Sequence, residues 1–287
     1  MPSKFALLAF ILSVCVQAVP ANPPTNQPAN INVSKESVLT PELKAARQHI
    51  KELEKMFKIK PQAAPYLETN KKWEAPCSQY WLLCPGGAGF FYRQYLQSIE
   101  KVEVLYTPVE ENRVTNTGTK EASLKTLKSK WLTTGRTTGW SIDAKVSAAF
   151  GIGGGDKSVE LGVSYSDSTT TSQTDITQVE LTMTCPPGYV CAIVTWTFFA
   201  KVKGKCLSIP HVQCPNVRNM CNWNDSQQET PHGGSPPFWT LCQQFKGQAE
   251  QCKKPNVVDC EVSVPIFEQS GKGYSTLVTL QNKILSS

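Results

Sequence analysis

The sharpest pattern in the chain is a strict alternation of apolar and polar positions that begins just after Trp140. Ile142, Ala144, Val146, Ala148, Phe150 and Ile152 occupy every second position, separated by Asp143, Lys145, Ser147, Ala149 and Gly151. Successive side chains of a strand point to opposite faces, so this run predicts a strand with one apolar face. Gly153-Gly154-Gly155-Asp156-Lys157 makes a turn. Alternation then resumes at Val159, Leu161, Val163 and Tyr165 against Ser158, Glu160, Gly162 and Ser164. The two arms predict a long amphipathic β-hairpin. Its return arm continues through Ser166 to Thr174, nearly all Ser, Thr, Asp and Gln, and regains alternation at Val179, Leu181 and Met183.

A different period governs the N-terminal part. Leu43, Ala46, Ile50, Leu53 and Phe57 recur at three- and four-residue steps, with Thr40 as cap and Pro41 at the first helical position. That predicts an amphipathic helix over 40–60. Four turns are too few for a coiled coil, so the stripe is expected to pack on the main domain. Further strands are expected where Val102, Val104 and Tyr106 alternate, and where Val194, Trp196, Phe198 and Ala200 share a face opposite Lys201, Lys203 and Lys205. Two short ones follow at Val262 to Ile266 and Tyr274 to Leu280. The fold class is mainly β: an elongated antiparallel sheet with a long hairpin over 140–184, one N-terminal helix and a disulfide-rich C-terminal region.

Composition adds the compartment. Lys4 followed by the apolar run Phe5 to Val16, with small residues at Ala18 and Ala21, reads as a signal peptide over 1–21. The run is shorter than the roughly twenty residues a membrane-spanning helix needs. A secreted, extracellular protein is expected. Residues 22–39 are Pro- and Asn-rich and read as a flexible leader. Asn32 and Asn224 stand in glycosylation sequons.

Removing Cys15 with the signal peptide leaves Cys77, Cys84, Cys185, Cys191, Cys206, Cys214, Cys221, Cys242, Cys252 and Cys260. An even count on an exported chain reads as disulfides. Zinc would want Cys-x-x-Cys pairs, which are missing from the sequence. Local bridges are expected at Cys77–Cys84 and at Cys185–Cys191, which flank a Pro-Pro-Gly corner. The remainder would staple a disulfide-rich mainly β domain over 73–287, with cysteine-rich loops over 206–260.

Candidate chemistry is sparse. Gly151 to Ser158 resembles a phosphate-binding loop only superficially, because Asp156 replaces the glycine before the lysine and a strand follows. His49, His211 and His232 are the histidines, and no nucleophile-elbow context surrounds Asp225 and Ser235 beside His232. No catalytic, cofactor-binding or metal site is expected. A net charge of +6 is mild and dispersed, which argues against nucleic acid. Trp73, Tyr80, Trp81, Phe90, Phe91 and Tyr92 form an aromatic-rich cluster, read as core or as a glycan- or receptor-binding ledge.

Ile142 to Ile152 suits a lipid-spanning strand: at roughly 3.3 Å per residue and a tilt of about 40°, it reaches about 27 Å. Val159 to Tyr165 reaches only about 18 Å, short of the roughly 25 Å apolar band. The stretch Trp140 to Cys206, with its hairpin and the Ser/Thr-rich run Ser164 to Thr177, resembles the long-strand region of aerolysin-type β-pore-forming proteins. That resemblance implies a secreted protein that meets a cell-surface receptor or glycan, forms a homo-oligomer and inserts one hairpin per subunit into a target membrane. The insertion residues would be Ile142, Ala144, Val146, Ala148, Phe150, Ile152, Val159, Leu161, Val163 and Tyr165. The alternatives are a non-lytic glycan-binding or host-directed effector module and, third, a secreted hydrolase.

Overall fold

A computed structural model describes residues 41–78, 81–82, 84–135, 139–147, 158–164, 171–221, 243–254 and 256–284. The expected signal peptide, the leader and both sequons lie outside the described residues. So do Tyr80, Ala148, Phe150, Ile152, Tyr165, Asp225, His232, Ser235 and Cys242.

The fold is mainly β. One helix, α1 (Pro41–Glu54), leads into the short strands β1 (Phe57–Ile59), β2 (Tyr66–Glu68) and β3 (Lys72–Glu74). Two long strands follow at β4 (Ala88–Asn116) and β5 (Ala122–Gly135). Next come β6 (Trp140–Ser141), β7 (Asp143–Val146), β8 (Val159–Gly162), β9 (Thr171–Cys185), β10 (Tyr189–Gln213) and β11 (Val217–Asn219). A second helix, α2 (Gln243–Glu250), precedes β12 (Asn256–Phe267) and β13 (Ser275–Lys283).

The spine is the antiparallel pair β4–β10, matched from Gly89↔Gln213 to Asn116↔Tyr189. At about 3.4 Å per residue, β10 extends for roughly 80 Å. Its other edge is shared by β13 along Tyr189–Thr197, β12 along Phe199–Ser208 and β11 along His211–Gln213. Bulges break the β4–β10 register at three places, two of them flanking Gly204. There β4 comes so close that a Cβ on Gly204 would sit 2.0 Å from the Ser98 carbonyl oxygen. Only glycine fits.

β5 and β9 form a separate two-stranded ribbon. Leu124 and Met183 from that ribbon pack with Ile193 of β10 and the Cys185–Cys191 bridge. The other face of β10 carries Val194, Trp196, Phe198, Ala200 and Val202 into the main core, which Leu43, Ala46 and Leu53 of α1 join. Both faces of β10 are therefore buried between Cys191 and Phe198.

Several expectations change in three dimensions. The helix stops at Glu54, and Phe57 lies on β1 because that segment pairs in parallel with β8. The return arm of the hairpin does not run on to Met183 opposite the 140–152 arm. From Thr171 it pairs instead with β5, a strand that takes up the basic stretch from Ala122 onward. Cys206 and Cys260 lie on β10 and β12 rather than in loops, and bridge those neighbours with Cα atoms 6.0 Å apart. Cys185–Cys191 is formed locally. The expected Cys77–Cys84 bridge is not formed: Cys84 reaches across 130 residues to Cys214, and Cys77 is disulfide-bonded elsewhere. Cys221–Cys252 completes four described bridges.

Candidate functional site

The antiparallel pairing predicted from alternation is formed over Asp143–Val146 and Val159–Gly162, in the register Asp143↔Gly162, Ala144↔Leu161 and Val146↔Val159, and the outer parts of both arms lie outside the described residues. Directly opposite residues share a face, so Ala144, Val146, Val159 and Leu161 project together, as the sequence pattern requires. All four are buried in the main core, as is Ile142 just before β7. Val163 is half-buried.

Parallel strands grip the hairpin on both sides. Ala144 and Lys145 pair with Ile266 and Phe267 of β12, while Val159 to Leu161 pair with β1. Backbone N–H groups of Val159, Lys60 and Val163 donate to the carbonyls of Met56, Leu161 and Ala63. The Gln269 amide donates to the Val146 carbonyl at 2.8 Å. Near its described end the Ser147 and Ser158 backbones bond at 2.9 Å, and the Ser158 N–H also donates to the Ser147 hydroxyl at 3.0 Å. Burial of Ile142, Val146, Val159 and Leu161 contributes about 1.5–3 kcal/mol each, on the order of 10 kcal/mol for the four.

The opposite face is charged and wet. Asp143, Lys145 and Glu160 line a cleft of about 260 Å³ with Lys60 and Ala63. Lys145 stands 3.3 Å from Asp143. The hairpin thus carries one face fit for an apolar environment and one fit for water.

The two described histidines, His49 and His211, serve packing. His49 of α1 meets the Tyr274 hydroxyl at 2.7 Å, and burial pushes the Tyr274 pKa up to about 12. His211 is buried against Phe91, ring centroids 5.6 Å apart, with Nδ1 3.0 Å from the Ile209 carbonyl oxygen. Burial holds its pKa below the ordinary imidazole value, and Arg93 pushes the same way against that hydrogen bond.

The aromatic cluster divides. Phe90 and Phe91 are buried, Phe90 against Phe245 of α2 at a centroid distance of 5.4 Å. Arg93 caps Tyr66 at 4.5 Å and Lys71 caps Phe91 at 5.0 Å, while Glu68 binds both cations. Trp73 and Trp81 are exposed. The feature sequence reasoning missed is the β5–β9 ribbon that brackets the hairpin. Its local signals are the Ser/Thr-rich composition of both strands and the alternation at Val179, Leu181 and Met183, neither of which names the pairing partner.

No protein-family model matches the chain, and no curated protein matches it. Among solved structures it is similar to one described as "Crystal structure of Cry23Aa1 and Cry37Aa1 binary protein complex". The identity is 13%, the TM-score 0.20, and the match covers 84% of this chain and 84% of that chain. At that TM-score the likeness does not establish a shared fold.

Proposed function

We propose that this is a secreted protein that oligomerises on a target membrane, after meeting a surface receptor or glycan, and permeabilises it by inserting its β7–β8 hairpin. The observation that carries this reading is one of register. The ribbon ends with Gly135 opposite Thr171. Continued in the same register, it would place Asp143 opposite Val163, whereas the hairpin has Asp143 opposite Gly162. A single extra residue on the returning arm would therefore splice the two registers into one continuous ribbon. One-residue bulges are ordinary, and the ribbon already holds one between Thr126 and Lys128.

Such a ribbon would extend about 56 Å beyond Gly135 to the glycine turn. Transfer of Val146, Val159 and Leu161 from the core into hydrocarbon exchanges one apolar setting for another, so the burial energy is not forfeited. Backbone bonds lost to β1 and β12 are replaced between neighbouring copies, which a membrane requires because it offers no water to unpaired strands. Four described disulfides support an oxidising, extracellular setting.

A non-lytic binding module is the second reading. The observation in its favour is that Val146 is only 4% exposed and lies in a closed core. A staple separates the two. Lys58 and Glu160 are exposed partners across β1 and β8, so Lys58→Cys/Glu160→Cys would tether the hairpin without touching the core. The pore reading expects dye release from target-cell or liposome membranes by the wild type, its loss in the stapled variant and its return on mild reduction. Absence of release by the wild type on every membrane tested, or full release by the stapled protein, overturns it.

A further inference from the structure

Of the six large apolar side chains that stand exposed among the described residues, four gather at one end of the β4–β10 spine: Trp73, Trp81, Leu82 and Val217. Trp73 lies on β3 opposite Gly89, the β4 residue that pairs with Gln213, and Val217 lies opposite Gln213, the last residue of β10. The Trp81–Leu82 turn is tied to the same place by Cys84–Cys214. These side chains are 53%, 60% and 73% exposed for Trp73, Trp81 and Leu82. Trp73 is also held flat. Three atoms of its indole lie 3.3 Å from where a Cβ of Gly89 would be, so one ring face rests on the strand.

The same end is basic. Lys246 of α2 and Lys253-Lys254 beyond it are exposed, and α2 is anchored by Phe245 on Phe90. Cys221–Cys252 pins the two lysines near the end of β11, which carries Arg218. Among the described residues, Glu74 and Glu250 are the acids nearest these lysines; Glu74 is already engaged by Lys72 at 2.8 Å and by Gln244 at 2.7 Å.

We infer that this end of the molecule docks on an anionic lipid surface. Tryptophan is the side chain that suits a membrane–water interface, where its ring is buried and its N–H stays wet. Clustered lysines supply the attraction to acidic headgroups. A charge-neutral glycan would have no use for Lys246, Lys253 and Lys254. The orientation fits the proposed insertion and rests on that reading only for its consequence: the ribbon climbs from Cys185 beside the start of β10, passes Thr195 at Ser129, and points its Gly135 end toward Trp73. Docking itself needs no pore.

The test uses the full chain with its disulfides intact, sedimented with phosphatidylcholine vesicles with and without phosphatidylserine. Binding is expected only with phosphatidylserine, with a blue shift of tryptophan emission and release at high salt. Trp81→Ser/Leu82→Ser should abolish the shift. Lys253→Ala/Lys254→Ala should weaken partitioning roughly thirtyfold, about 1 kcal/mol per lysine. Both variants should keep the wild-type melting temperature. Equal binding to neutral vesicles, no binding, or undiminished binding by the variants overturns the inference. So does binding that needs a glycolipid and is competed by free sugar, which would assign the patch to a glycan. Dye release is recorded separately, so failure to permeabilise leaves the docking result standing.

Discussion

The hydroxyl of Ser129 on β5 lies 2.9 Å from that of Thr195 on β10, and both are buried. Thr195 spends its proton on Glu111 at 2.6 Å, so Ser129 is the donor between the two hydroxyls. Two positions along the same face, the buried Thr197 hydroxyl has no hydrogen-bond partner among the described residues. Among the described side chains, the ribbon meets the spine through a polar contact here and through apolar ones near Ile193. An interface of this kind separates more readily than a hydrocarbon seam of equal area, which is what the splicing of ribbon and hairpin demands.

Thr195→Val keeps the shape and removes the relay. It should lower stability by about 1–3 kcal/mol, since Glu111 loses a donor and Ser129 an acceptor. Calorimetry reads the loss. If ribbon release limits permeabilisation, the same variant should also release dye faster than the wild type. Slower release from a folded protein would place the limiting step elsewhere.

The two faces of the hairpin should respond differently to charge. Val146→Lys puts an unpaired ammonium into the core and should cost more than about 3 kcal/mol, visible as poor secretion or a sharply lowered melting temperature. Lys145→Glu alters the wet face, replacing the exposed ion pair with Asp143 by like charges beside Asp143 and opposite Glu160, and should lower stability by about 1 kcal/mol, well short of the core substitution. In planar bilayers it should shift ion selectivity toward cations. An unchanged selectivity in a conducting variant would remove Lys145 from the lumen.

Acid should weaken the fold through His211. Its native pKa lies below the ordinary value, chiefly because it is buried, so the unfolded chain binds the proton more readily. That contribution to stability is complete above about pH 6.5 and is lost as pH falls from there through the native value. Melting temperatures of wild type and His211→Gln between pH 7.5 and 5 should show a steeper acid decline in the wild type. Parallel curves would assign the decline to other groups.

Gly204→Ala should be among the most damaging single-methyl changes. The added carbon would meet the Ser98 carbonyl at 2.0 Å and Leu96 at 2.9 Å. β4 can yield only by breaking the register between its two bulges, at a cost of about 1–3 kcal/mol or more. Urea denaturation measures it. A neutral result would mean that the spine slips there without penalty.

Local periodicity was enough to specify the hairpin and its inward residues, because a period of two assigns faces regardless of partners. Ala144, Val146, Val159 and Leu161 were legible for that reason, and so was Cys185–Cys191, whose six-residue separation closes on its own corner. The helix stripe was legible as far as Leu53. Phe57 continued the helical spacing, yet the parallel pairing of β1 with β8 drew it into a strand, a contact roughly a hundred residues away in sequence that no local pattern records. The same limit hid the partner of Cys84 and the pairing of β5 with β9 around the hairpin they enclose. It also hid the burial of Thr195 and Thr197 on the face of β10 that alternates with Trp196. A strand's own sequence declares which side chains lie together, whereas what covers each face depends on the whole chain. Whether the apolar face of 142–161 was to meet core, partner or lipid was thus open in the sequence. The tertiary structure placed its described residues, Ile142, Ala144, Val146, Val159 and Leu161, in the core and set the ribbon in nearly matching register beside them.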